Sequence, residues 1–194
     1  MDAAGPRSAG RLRRMCHRLA ILSALIALCT SAAPATADDP APAGSTTLTA
    51  ADGTPRSIFV LPSLDGPKQE LAGFLGRVVL VHFFATWCEP CRAEMASLRQ
   101  MQSKLGDQTF VIVPISVAEA DGAVRRFFAG DSLPFTILLD RDRSVAKSWN
   151  VHTLPSSIVL DRSLKPRFMA EGDVDWARPD VMSTVADLLK EPPG

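Results

Sequence analysis

Seven consecutive residues, Val78-Val-Leu-Val-His-Phe-Phe84, hold one polar side chain and no turn former. A run this apolar and β-branched reads as a strand buried on both faces, which demands a sheet covered on both sides. Just beyond it the period changes. Cys91, Met95, Leu98, Met101 and Leu105 recur at helical spacing, which predicts a helix over 89–105. The two patterns then alternate along the chain. Strands are expected over 57–61, 110–117, 135–139, 157–160 and 166–171, helices over 121–129, 144–149 and 179–190, and a turn at 64–67. Such alternation implies an α/β domain with a central sheet.

The N-terminus has a different composition. Arg7, Arg11, Arg13, Arg14 and Arg18 precede an apolar run over 19–28, and Ala35-Thr-Ala37 follows. That order is the one found in a secretory signal peptide, placed here at 1–37. The apolar run is short of the roughly 20 residues that span a bilayer. An uncleaved N-terminal membrane anchor is the alternative, because residues 29–33 extend the run. Leu28 before Cys29 argues against lipid attachment, and Arg13-Arg14 hints at a twin-arginine signal. Either route exports the chain, to the periplasm or beyond. Residues 38–50, rich in Pro and Ala, read as a flexible linker, and 51–194 as one domain.

Export changes the charge arithmetic. The 194-residue chain has 21 Lys+Arg against 21 Asp+Glu, and that balance gives no basic excess for nucleic acid. Without residues 1–37, 16 basic residues face 20 acidic ones, a balance that also disfavours anionic membranes and phosphate-rich partners. Cys16 and Cys29 leave with the signal, so Cys88 and Cys91 are the two cysteines that remain.

Those two sit three residues apart where the apolar strand gives way to a helix. A helix N-terminus offers free N–H groups and partial positive charge, both of which stabilise a thiolate. Pro90 suits a first helical turn. At this spacing Cys88 can face solvent as the attacking thiol while Cys91 lies behind it to resolve the mixed disulfide. Other readings stay open. Zinc would want four ligands, and only His82 and His152 could join the pair, without a second Cys/His pair at short spacing. A static disulfide fits an exported protein, and a copper site could use both cysteines with a histidine. A peroxidase is disfavoured by the lack of a separate peroxidatic cysteine. Glu89, between the cysteines, opposes the helix dipole, which favours a reducing pair. Glu94 is either a solvated glutamate near the helix start or a group on the face of Cys91. His82 is either a hydrogen-bonded core histidine or a proton relay to Cys91. Trp87 is expected at the site edge, and His152 either on the surface or near the site.

The segment Val79-Leu-Val-His-Phe-Phe-Ala-Thr-Trp-Cys-Glu-Pro-Cys-Arg-Ala-Glu94 resembles the active-site region of thioredoxin-fold proteins, and more narrowly that of the exported TlpA/ResA/CcmG thiol–disulfide oxidoreductases. The resemblance extends over 57–189. It includes Thr153-Leu-Pro-Ser-Ser-Ile-Val-Leu-Asp161, similar to the family loop whose proline is cis and packs against the cysteines. It implies a thioredoxin-like fold, a central mixed sheet flanked by helices, with 110–140 forming an extra strand–helix unit. By the same resemblance Cys88, Cys91, Pro155 and Glu94 are catalytic, with Glu94 tuning cysteine ionisation, and Trp87, Glu89, Pro90 and His82 are modulators. The implied activity is reduction of client disulfides, such as those of apocytochrome c or copper-site cysteines. Electrons would come from a membrane donor, with no dissociable cofactor and no metal. An oxidase or isomerase of the same fold and a copper-binding chaperone are the rivals.

Overall fold

The computed structural model describes residues 46–192. The signal read over 1–37 and the linker up to residue 45 lie outside them. In chain order the elements are β1 (Thr49–Ala50), β2 (Val60–Leu61), β3 (Gln69–Glu70), a 3-10 turn (Leu71–Phe74), β4 (Val78–Phe84), α1 (Glu89–Leu105), β5 (Phe110–Val117), α2 (Asp121–Phe127), β6 (Leu138–Asp140), α3 (Ser144–Ser148), β7 (Ser156–Leu160), β8 (Pro166–Glu171) and α4 (Pro179–Leu188).

Six strands form one mixed sheet in the order β1-β8-β7-β4-β5-β6. β4 pairs in parallel with β5, and β5 with β6. On the other side β7, β8 and β1 run antiparallel to their neighbours. This is the α/β thioredoxin-like arrangement the resemblance implies. All seven residues of β4 are buried, and its alternation sorts them between two layers. Val78, Leu80 and Phe84 join Cys91, Met95 and Leu98 of α1 and Val181, Val185 and Leu188 of α4. Val79, Val81 and Phe83 pack on the opposite face with Trp149, Leu71 and Phe74. His82 shares the parity of Leu80 and Phe84, which puts it on the α1 face. Each fully buried Leu or Met in these layers contributes about 1.5–3 kcal/mol.

β4, α1, β5 and β8 have the bounds that the sequence patterns predict. The differences lie in short segments. Strand structure over 57–61 is confined to β2, which pairs with the unforeseen β3 in a separate two-stranded sheet; two-residue strands show no periodicity to read. Residues 135–137 are not strand, and β6 starts at Leu138. Ile137 spends its carbonyl on the amide of Leu64, and Pro62 accepts from Leu139. Thr49 and Ala50, at the end of the stretch read as linker, are strand and pair with Met169 and Phe168. The segment 110–140 folds as β5–α2–β6, carrying the sheet one strand further on its parallel side. Among the described residues no helix is long and apolar enough to cross a membrane.

Candidate active site

Parallel pairing sets Phe84 beside Ser116 at the carboxyl ends of β4 and β5. Antiparallel pairing sets Phe83 against Ser156 at the start of β7. Three connections therefore converge at one end of the sheet: 85–88 after β4, 118–120 after β5, and the loop ending at Pro155 before β7. The cysteines sit at this end.

Cys88 is the N-cap of α1, in an extended conformation, and its Sγ accepts from the amide of Cys91 at 3.3 Å. Pro90 lies in the first turn, where a missing N–H costs no helical bond. Cys88 and Cys91 are joined in a disulfide of 2.06 Å. Cys91 is fully buried, while Cys88 keeps 6% of its surface, so an incoming thiol meets Cys88 first. Trp87 is 72% exposed at the rim. Glu89 points to solvent and lies 3.4 Å from Arg92, so water and a cation both soften its effect on a thiolate. Arg92 in turn lies over the ring of Phe127 on α2, 5.5 Å from its centroid, within the about 6 Å reach of a cation–π contact.

Leu154–Pro155 is a cis peptide, as the resemblance implies. Pro155 is buried, and its carbonyl accepts from Gly172 at 2.9 Å. Gly172 has φ +98°, and a Cβ there would stand 2.9 Å from Thr46 Oγ1; only glycine fits both the angle and the space. The loop that carries Pro155 is thereby tied to the end of β8.

Beneath the disulfide lie two titratable groups. Glu94, one turn after Cys91, is turned to the core. Its Oε1 accepts from the amide of Val174 at 2.9 Å and from Trp176 Nε1 at 2.7 Å. Burial pushes its pKa up to about 8 against those two donors, with the Asp173 charge adding to the rise. His82 is fully buried, with Nδ1 2.9 Å from Ser157 Oγ, which makes it a hydrogen-bonded core histidine. Burial lowers its pKa to about 3. Its Nε2 faces Glu94 Oε2 at 3.9 Å, and neither of these two atoms has a hydrogen-bond partner. His152 is exposed in the loop before Pro155. Among the described residues no group of three His, Cys, Asp or Glu is arranged to hold a metal ion.

Sequence reasoning missed Trp176 and Glu119. Trp176 lies 82 residues from the carboxylate it holds, and no local pattern marks such a pair. Glu119 binds Thr86 in the connection leading to Cys88, across 33 residues. Its one local clue is its place two residues after a buried strand, where loops build sites in parallel sheets.

Known proteins resemble this chain. The chain is 33% identical over 107 residues to the thiol-disulfide oxidoreductase ResA of Bacillus thuringiensis subsp. konkukian, covering 55% of this chain and 62% of that one. It is 31% identical over 110 residues to ResA of Bacillus subtilis, covering 57% and 62%. It thus spans less than two thirds of the length of these relatives. A crystal structure of a thiol:disulfide interchange protein of the thioredoxin family from Chlorobium tepidum superposes with a TM-score of 0.63 at 26% identity, over 73% of this chain and 99% of its own length. The AhpC/TSA family profile matches residues 53–167, a stretch that holds the cysteine pair, Glu94 and the cis proline, and the chain therefore belongs to the AhpC/TSA family.

Proposed function

We propose that this chain is an exported thiol–disulfide oxidoreductase that reduces disulfides in client proteins. The observation that carries the reading is the asymmetric disulfide at the start of α1, with Cys88 at the surface and Cys91 enclosed. In the reduced protein, the Cys88 thiolate attacks a client disulfide and expels one client sulfur as a thiol(ate). Cys91 then attacks Cys88 Sγ, the second client sulfur leaves, and the Cys88–Cys91 bond closes. Two electrons pass from the dithiol to the client.

The second step requires Cys91 to lose its proton away from bulk water. Glu94, titrating near pH 8, is matched to a thiol of ordinary pKa as the acceptor. His82, neutral across the physiological range, stands 3.9 Å from that carboxyl and adds no positive charge to hold it ionised. Pro155 closes the site on the client side. The enclosure of Cys91 in apolar surroundings, with a small contribution from Glu89 outside, disfavours thiolate and so favours a reductant over a strong oxidant.

The resemblance to ResA-type proteins supports export, clients such as apocytochrome c or copper-site cysteines, and recharging by a membrane thiol donor. The test is a Cys91→Ser chain expressed with its native N-terminus in the host. Clients should accumulate as mixed disulfides on Cys88, separable on non-reducing gels and identifiable by mass spectrometry. Absence of any thiol-linked adduct, with the variant folded and exported, contradicts the exchange cycle.

A further inference from the structure

The carboxylate of Glu119 is spent on the connection that delivers Cys88. Its Oε2 accepts from the amide of Thr86 at 2.9 Å and from Ser116 Oγ at 2.7 Å, and its Oε1 accepts from Thr86 Oγ1. Thr86 is the second residue of the turn 85–88, which closes where the Cys88 amide donates to Ala85 O at 3.2 Å. The carboxylate therefore grips the middle of the turn whose last residue is Cys88, the N-cap of α1.

The backbone around Glu119 is shaped to make this reach possible. β5 ends at Val117, and Ala118 follows at φ +58°, a left-handed conformation that crowds its Cβ. Its amide donates to Asp140 O at 2.9 Å, which holds the reversal in place. Glu119 is turned back over β4 instead of continuing along β5. Ser116, the third partner, is paired in register with Phe84, so the clamp links the ends of the two central parallel strands. A half-buried carboxylate taking three hydrogen bonds, beside an alanine in a strained conformation, is more than a loop needs to stay closed. None of the three donors belongs to a cysteine, so the arrangement acts through the backbone.

We propose that Glu119 is a positioning residue for the thiol exchange. By clamping Thr86 it holds Cys88 at the N-cap, with its sulfur over the free amides of α1. Released from the clamp, Cys88 drifts from those amides, its thiolate loses their stabilisation, and its pKa rises. The opposite sign is expected if Glu119 acts through its negative charge, because removing a nearby anion lowers a thiol pKa.

This inference rests on the exchange cycle proposed above, and one experiment separates the two. In reduced protein the Cys88 pKa is read from thiolate absorbance against pH, and the attack rate from single-turnover reaction with a small aromatic disulfide, for the parent, Glu119→Ala and Glu119→Gln. Circular-dichroism melts check that each is folded. A glutamine can keep all three contacts: its oxygen accepts from Thr86 N and Ser116 Oγ, and its amide donates to Thr86 Oγ1. Glu119→Ala should raise the Cys88 pKa by about one unit and slow attack roughly three- to tenfold, and Glu119→Gln should recover most of that loss. Two results overturn the positioning role: both variants lowering the pKa alike, or Glu119→Ala matching the parent in pKa and rate. Should Glu119→Ala fail to fold, Thr86→Val, which removes one of the three donors, must show a smaller shift of the same sign; no shift overturns the role. A parent that attacks no disulfide at all sinks the exchange cycle itself.

Discussion

The two faces of α1 treat a glutamate in opposite ways. On the outer face Glu89 stands in solvent, 3.4 Å from Arg92. Five residues on, Glu94 is buried, with two neutral donors, no cation and a neutral histidine opposite. The same side chain on the same helix is a weakly acting surface charge in one place and a buried carboxyl that keeps its proton to about pH 8 in the other. The cysteines divide the same way, Cys88 toward water and Cys91 within. In the proposed cycle, one turn of helix thus separates the step that needs access to a client from the step that needs shelter from solvent.

The widest break in this comparison comes from the cysteines. Cys88→Ser should abolish turnover and leave no client attached, whereas Cys91→Ser should stop turnover yet retain the first attack. Non-reducing electrophoresis after mixing each reduced variant with a disulfide-bonded protein distinguishes them, and equal adduct formation would erase the division of roles.

The next effect is one of pH. A carboxyl raised from 4.5 to about 8 by folding keeps its proton longer in the folded chain, so the Glu94 contribution falls as pH climbs between those values. A histidine lowered from 6.5 to about 3 works the other way, adding stability as pH rises from about 3 to 6.5. The two oppose each other between about 4.5 and 6.5, where stability should be flat, with a decline above. Glu94→Gln should remove the alkaline decline and leave the acid limb. At pH 9 it should be the more stable chain by on the order of 1–3 kcal/mol, the usual penalty of a buried polar group left without a partner, as read from urea unfolding at a series of pH values.

Trp176→Phe asks how much of the inner arrangement depends on one donor. Removing the Nε1–H that reaches Glu94 should cost about 1–2 kcal/mol in denaturant unfolding and raise the carboxyl pKa further, visible as a shift of its infrared C=O band with pH. The smallest effect belongs outside. Glu89→Gln should lower the Cys88 pKa only slightly, and the difference should disappear in about 1 M salt, where the screening length is about 3 Å. A large, salt-resistant change at Glu89 would mean that the outer face is not governed by solvent.

The legibility of the sequence follows the same division. β4, α1 and β5 are long and periodic, and their bounds could be read from residue pattern. The cysteine pair was legible because Cys88-Glu-Pro-Cys91 is contiguous and sits at a strand-to-helix switch. What could not be read was pairing at a distance. Whether Glu94 faced water or core depended on Val174 and Trp176, in a loop some 80 residues away. His82 had a recognisable place in the strand, but its neighbours Ser157 and Glu94 arrive on different elements. β2 and β3 were illegible for another reason: two residues carry no period, and their pairing is set by the chain around them.

The central claim, a dithiol poised to give electrons away, is tested most directly by the reduction potential of the Cys88–Cys91 couple. It is measured by equilibrating the chain in thiol redox buffers and trapping free thiols. The buried resolving cysteine predicts a value near thioredoxin's, about −270 mV, and a value near that of a strong oxidant, about −120 mV, would contradict the account.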